Sequence, residues 1–250
     1  MWLEDYRMND ISGKVLERTL QFRSQVESLR FSTDFVVYNP LLYAWDLHEK
    51  YIRKYVNKQV ETLFLGMNPG PFGMAQNGVP FGEVNAVRDF LQLDGEVGKP
   101  PFEHPARPVL GMDIKRSEVS GKRLWGLFSE RFGSAEFCFE TLTVVNYCPL
   151  VFMDRGPTGK NITPDKLPKT ERIALETICD SYLKDVVSLI QPINFIGVGK
   201  YAETKLEHLF PPQEGRVVDS ILHPSPVNPQ ANKGWDEKVT EKLVSLGVWA

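Results

Sequence analysis

Apolar residues recur at helical spacing from Lys14 to Arg30, with Val15, Leu16, Leu20, Phe22 and Val26 on or near one face. The same period returns from Leu41 to Val56. Ser12-Gly13 reads as a breaker, so no helix is expected before it, and residues 1–13 are expected to be an unstructured extension. A compact apolar run over 60–66 predicts a buried strand, and Asn85 to Leu93 a short helix. Residues 95–117 are rich in Pro and Gly and predict a long surface excursion. A helix opens at Ser120 and ends near Gly133, and Phe137 to Asn146 reads as a second strand followed by a loop to Asn161. Thr163-Pro164 has the form of a helix start, cap then proline, and Ile178, Tyr182, Val186 and Ile190 continue at four-residue spacing. Ile193 to Val198 is a third strand, Lys200 to Phe210 a helix, Arg216 to Leu222 a fourth strand and Ala231 to Leu246 a last helix.

Strands alternating with helices over long connections predict an α/β fold, a mostly parallel sheet with helices on both faces. No repeat or linker divides the 250 residues, so one domain is expected over 1–250. At 42% hydrophobic the chain can bury a large core, and no apolar run reaches the length of a membrane span. The N-terminus lacks the pattern of a signal peptide. Cys138, Cys148 and Cys179 form no C-x-x-C pair, so reduced thiols are expected in a compartment that is cytoplasmic in a bacterium or nuclear in a eukaryote. Net charge is −3 and the isoelectric point near 5.9, which argues against bulk affinity for nucleic acid and leaves room for a local basic groove.

The chemistry collects where the strands stop. Gly66-Met67-Asn68-Pro69-Gly70-Pro71 follows the first strand, Asn146-Tyr147-Cys148-Pro149 the second, Gly197-Val198-Gly199-Lys200 the third and His223-Pro224-Ser225-Pro226 the fourth. In open α/β sheets ligands bind beyond the carboxyl ends of strands, so four such ends predict one crevice. Any one of these segments alone reads more simply as a turn. The stretch from Leu65 to Val84 holds five glycines, three prolines and no Lys, Arg or His, and reads as a wall of fixed backbone amides. Phosphate-loop, dinucleotide and nucleophile-elbow patterns all fail on spacing. His48, His104, His208 and His223 are too scattered for a metal motif. "LHPSPVNPQANKGW", from Leu222 to Trp235, is longer than a turn needs. Its Ser225 and Lys233 suit phosphate oxygens, and Pro226, Val227 and Pro229 suit an apolar wedge in a base stack.

"GMNPGPFGMAQNGVPFGEV" and "HPSPVNPQANKGW" resemble the two signature motifs of the single-strand-selective monofunctional uracil-DNA glycosylases. "RPVLGMDIKRSEVSGKRLWGLF", "NYCPLVF", "NITPDKLP" and "GVGKYAE" resemble that family in the same order. The resemblance implies the uracil-DNA glycosylase fold, with a central four-stranded parallel sheet, and release of uracil and 5-hydroxymethyluracil from single- and double-stranded DNA. It implies an abasic product without strand cleavage, no cofactor, no metal, no membrane partner and a monomer. Carried over by motif position, Asn68 holds the hydrolytic water and His223 stabilises the departing base. Asn146 reads the base edge, Phe81 stacks on it, and Met67 and Gly70 line the pocket. Pro224, Ser225, Pro226, Val227, Asn228 and Lys233 supply the wedge and phosphate grip. Animal members of the family carry Arg where this chain has Val227, which implies a weaker hold on duplex DNA. Two alternatives stand beside this reading: a glycosylase of the same fold whose range extends to xanthine and hypoxanthine, and a non-catalytic binder of damaged DNA.

Overall fold

The computed structural model describes residues 10–250. Helix α1 (Ile11–Ser28) starts earlier than the breaker suggested. Asp10 caps it, accepting from the Gly13 amide at 2.7 Å and the Ser12 hydroxyl at 2.8 Å, so the two residues sit in a first turn that tolerates them. The expected extension over 1–13 is therefore helical from Ile11, and its first nine residues lie outside the described ones. Strand β1 (Phe35–Tyr38), which the sequence reading missed, precedes α2 (Pro40–Tyr43) and α3 (Trp45–Tyr55). These two replace the single helix expected over 41–56, which breaks at Ala44, where φ is −117°.

Strand β2 (Thr62–Gly66) is wholly buried. After it come the four-residue helix α4 (Met74–Asn77), a single π turn over Ala86–Phe90 where a short helix was expected, and α5 (Val119–Phe132). The strand expected over 137–146 is half helix: α6 (Ala135–Thr141) carries the residues up to Thr141, and β3 is only Leu142–Asn146. Ser134 accepts from the Phe137 amide and starts α6, leaving Phe137 70% exposed while Cys138 and Phe139 are buried. The apolar run "FCF" joins "LTVVN" into what reads as one strand, but the serine cap decides the backbone.

Strands β4 (Val151–Asp154) and β5 (Asn161–Ile162) lie in what was expected to be loop. They form a small antiparallel sheet in the order β1-β4-β5. Tyr38 of β1 ties down the 95–117 excursion: its hydroxyl donates to the Arg107 carbonyl at 2.8 Å and accepts from the His104 amide at 2.7 Å. Thr163 precedes only a 3₁₀ turn, and the long helix α7 (Lys169–Ile190) begins after Pro168. Strand β6 (Asn194–Val198), α8 (Lys200–Leu209), β7 (Val217–Ile221) and, after a 3₁₀ turn at Pro229–Asn232, α9 (Trp235–Ser245) complete the chain.

The main sheet has four parallel strands in the order β3-β2-β6-β7, flanked by helices, as the α/β reading expected. Phe128 of α5 meets Phe64 of β2 edge-on at 5.1 Å. On α1 and α7, Phe22 and Tyr182 stack with centroids 4.0 Å apart. Parallel pairing fixes the register so that Gly66 stands beside Asn146, and all four strands deliver their carboxyl ends to one side.

Candidate active site

Pairing continues past the strands. The Tyr147 amide donates to the Gly66 carbonyl and the Cys148 amide to the Met67 carbonyl, both at 2.9 Å, so the first two strand-end segments run on side by side. Gly66 is bare for a steric reason. A Cβ there would lie 2.2 Å from Asn146 Oδ1 and 2.7 Å and 2.9 Å from two carbons of the Phe81 ring. The Asn146 amide and the Phe81 ring therefore share the space above one glycine, which brings together two residues 65 positions apart in the chain.

Phe81 holds φ at 51°, a conformation rare outside glycine that costs about 1–3 kcal/mol. Its carbonyl accepts from the Trp125 indole at 3.0 Å and from the Glu83 amide at 2.7 Å. Gly121 lies so close that a Cβ would fall 2.0 Å from that same oxygen. Helix α5 thus clamps the strained residue and points its ring over Gly66. Glu118 completes the support. Its carboxylate accepts from the Ser120 and Gly121 amides, capping α5, and its stem fills the space a side chain at Gly73 would need. Burial pushes its carboxyl above the usual range, against the lowering effect of those two amides. Glu118, Gly121 and Trp125 were not singled out from sequence; they act through contacts some 40 residues away.

The Asn68 amide is oriented by chemistry. Its Nδ2 donates to the Leu150 carbonyl at 3.3 Å, and a carbonyl only accepts, so among the described residues Oδ1 is left as a free acceptor. Among the described residues Asn146 has only a weak partner, the Met74 sulfur at 3.1 Å from Nδ2, which leaves both ends of its amide available. A Cβ on Gly70 would meet only Glu118 Oε1, at 4.0 Å, so this position is open, and Met67 beside it is half-buried.

His223 follows β7. Its Nδ1 accepts from the Ser225 amide at 3.1 Å; a backbone N–H only donates, so the neutral ring carries its proton on Nε2. Burial lowers its pKa, which favours that neutral ring. Gly199, at φ 94°, allows the imidazole to approach, since a Cβ would lie 3.0 Å from His223 Cβ.

The segment after His223 is tied down along its length. Arg123 of α5 donates to the Pro224 carbonyl at 2.8 Å and to Asn232 Oδ1 at 3.0 Å, and Asn232 donates to the Pro226 carbonyl at 2.9 Å. Ser225 Oγ accepts from the Val227 amide at 3.3 Å, and Asn228 caps the following 3₁₀ turn. Val227 stands at the apex, 87% exposed. Lys233 is exposed two residues before α9. Met67, Asn68, Gly70, Phe81 and Asn146 therefore gather around the end of β2, His223 sits at the same end of the sheet, and Pro224 to Lys233 form a rim beyond the edge strand β7.

A parallel sheet with an oriented amide, a neutral imidazole and an aromatic face at its carboxyl end is the layout of an enzyme that handles a planar ring. The chain belongs to the uracil DNA glycosylase superfamily, whose model matches residues 53–244. The single-strand selective monofunctional uracil-DNA glycosylases of Rattus norvegicus and Mus musculus are each 46% identical to it over 235 residues, covering 93% of this chain and 84% of theirs. That of Bos taurus is 46% identical over 238 residues. The crystal structure of wild-type SMUG2 from Pedobacter heparinus has the same fold, with a TM-score of 0.69 at 18% identity, covering 96% of this chain and 98% of that one.

Proposed function

We propose that this protein is a monofunctional DNA glycosylase that hydrolyses the N-glycosidic bond of uracil and of 5-hydroxymethyluracil, in single- and double-stranded DNA, leaving an abasic site. The observation that carries the reading is the complementary pair of oriented groups: a free amide oxygen on Asn68 and an N–H on His223 Nε2.

The glycosidic bond is unreachable in a base stack, so the nucleotide must first be flipped. Pro226 and Val227, on a rim held rigid by Arg123, suit the wedge that replaces it, while Ser225, Asn228 and Lys233 suit the phosphates beside it. The flipped ring stacks on Phe81. Asn146 pairs with its edge, Oδ1 accepting from N3–H and Nδ2 donating to O4. Met67 and Gly70 line the pocket, and the open space at Gly70 leaves room for a substituted ring.

As the bond breaks, negative charge collects on the leaving base. The Nε2–H of neutral His223 donates to O2 and stabilises that charge, an electrostatic contribution that burial strengthens. Asn68 Oδ1 accepts a hydrogen bond from water and holds that water against C1′. An amide does not take the proton at neutral pH, so the role is positioning. A monomer suits an enzyme that scans DNA.

The test is the range of bases released. Oligonucleotides carrying one uracil or one 5-hydroxymethyluracil, unpaired or opposite A or G, and others carrying one xanthine or one hypoxanthine, are incubated with the protein and free base is measured by mass spectrometry. Release of both pyrimidines is expected. Release of xanthine or hypoxanthine instead of uracil would move the reading to a purine glycosylase, and binding without release to a non-catalytic binder.

A further inference from the structure

We propose that Arg107 and Arg116, stacked on the ring of Phe72, form a clamp for a backbone phosphate of the DNA strand that carries the excised base. This deepens the glycosylase reading above and rests on it.

Phe72 lies inside the loop that links Asn68 and Gly70 to Met74, whose sulfur touches Asn146. Its ring carries two cations: the Arg116 guanidinium carbon is 3.9 Å from the ring centroid and that of Arg107 4.7 Å. Each gains from the face of the ring, but two like charges on one ring repel. Neither has an ion-pair partner among the described residues. Arg107 is anchored through its Nε, which donates to the Gly159 carbonyl at 3.0 Å, leaving its other nitrogens free of protein acceptors among the described residues. Arg116 is exposed and spends no donor on a protein acceptor among the described residues. Burial and the charge of Arg116 together lower the pKa of Arg107.

An uncompensated pair of guanidiniums is unusual in a chain of net charge −3 and calls for an anion. Forked donors on a fixed ring suit the tetrahedral oxygens of a phosphodiester. Position selects which anion. The clamp shares a loop with the pocket, and Gly159 belongs to the β4–β5 connection that follows edge strand β3, whereas Pro224 to Lys233 follow β7, the opposite edge. The strand would be held on both flanks of the flipped nucleotide, by the serine and lysine of one rim and by the two arginines of the other. Lys115, exposed beside Arg116, adds to the same field.

The test is the salt dependence of binding to a single-stranded oligonucleotide with a non-hydrolysable uracil nucleotide. Wild type is compared with Arg116→Gln, with Arg107→Gln plus Arg116→Gln, and with Arg53→Gln on the outer face of α3 as control. Each lost phosphate contact lowers the slope of log K against log salt by about 0.7 on a single strand. The clamp predicts that drop and a several-fold weaker Kd for Arg116→Gln and the double variant, an unchanged slope for Arg53→Gln, and unaltered single-turnover release at saturating protein. Arg116→Gln is informative by itself if the double variant fails to fold. A wild-type slope in Arg116→Gln, from protein that binds the oligonucleotide and releases uracil, overturns the clamp alone. Wild-type protein that neither binds nor releases base overturns the glycosylase reading and the clamp with it.

Discussion

Replacing Gly66 by Ala adds one methyl group at the point where the pocket is tightest. That carbon would stand 2.2 Å from Asn146 Oδ1, against the 3.4 Å at which ordinary contact begins, so the amide must retreat by about 1.2 Å (3.4 minus 2.2). The Phe81 ring must move as well, from 2.7 Å, and its backbone is already strained and clamped by Trp125. Overpacking of this kind costs about 1–3 kcal/mol of stability. The larger effect falls on chemistry, because a displacement of about 1 Å in a positioning residue costs roughly 100-fold in rate. The assay is single-turnover release of uracil from a single-stranded oligonucleotide, with thermal unfolding and oligonucleotide binding measured alongside. Gly66→Ala is expected to fold with a lowered Tm, to bind DNA near wild type through its outer loops, and to release uracil about 100-fold more slowly. Release within a few-fold of wild type at unchanged Tm would refute the reasoning, for it would mean that Asn146 and Phe81 need not meet over Gly66.

On the proposed mechanism His223→Leu removes the donor to the leaving base and is expected to slow release by about 10²–10³-fold while anisotropy shows oligonucleotide binding intact; loss of both would make His223 structural. Because burial lowers the His223 pKa, the wild-type release rate is expected to stay flat as pH falls through 6.5, and a half-drop at that pH would contradict the assignment. His48 is buried against the Gly78 carbonyl with its pKa pushed down to about 4, so unfolding takes up a proton between pH 6.5 and 4. Its contribution is complete above pH 6.5 and falls by about 3 kcal/mol as pH drops to 4, and denaturant melts of His48→Gln should lose that part of the pH dependence. Val227→Arg puts a cation at the exposed apex and is expected to tighten binding to uracil-containing duplex and steepen its salt slope, by up to about 0.9 for one phosphate.

The main sheet was legible because three of its four strands are short, mostly buried runs that end in abrupt changes of composition. "TLFLG" ends in glycine and "LTVVN" in asparagine, a glycine follows "NFIGV", and parallel pairing then brings those ends together. The small sheet was not legible. Each of β1, β4 and β5 is at most four residues long, and β1 finds its partner more than a hundred residues later, which no local period reports. Helix α6 was misread because its apolar residues run straight on into β3, and only a one-residue cap at Ser134 marks it as helix. The motif residues of the site were visible as polar breaks after apolar strands. Their supports were not: Glu118, Gly121 and Trp125 matter only because α5 comes to rest against Phe81, and Phe72 meets its two arginines only where the 95–117 excursion crosses the loop after β2.

The central claim is that Asn68 and His223 drive base loss without cutting the strand. The most direct test is a labelled oligonucleotide with one uracil, treated with wild-type protein, Asn68→Ala or His223→Leu, and resolved with and without alkali. The account predicts cleavage at the uracil only after alkali, strong for wild type and lost or nearly lost in both variants. Cleavage without alkali, or no cleavage by folded wild-type protein, would contradict it.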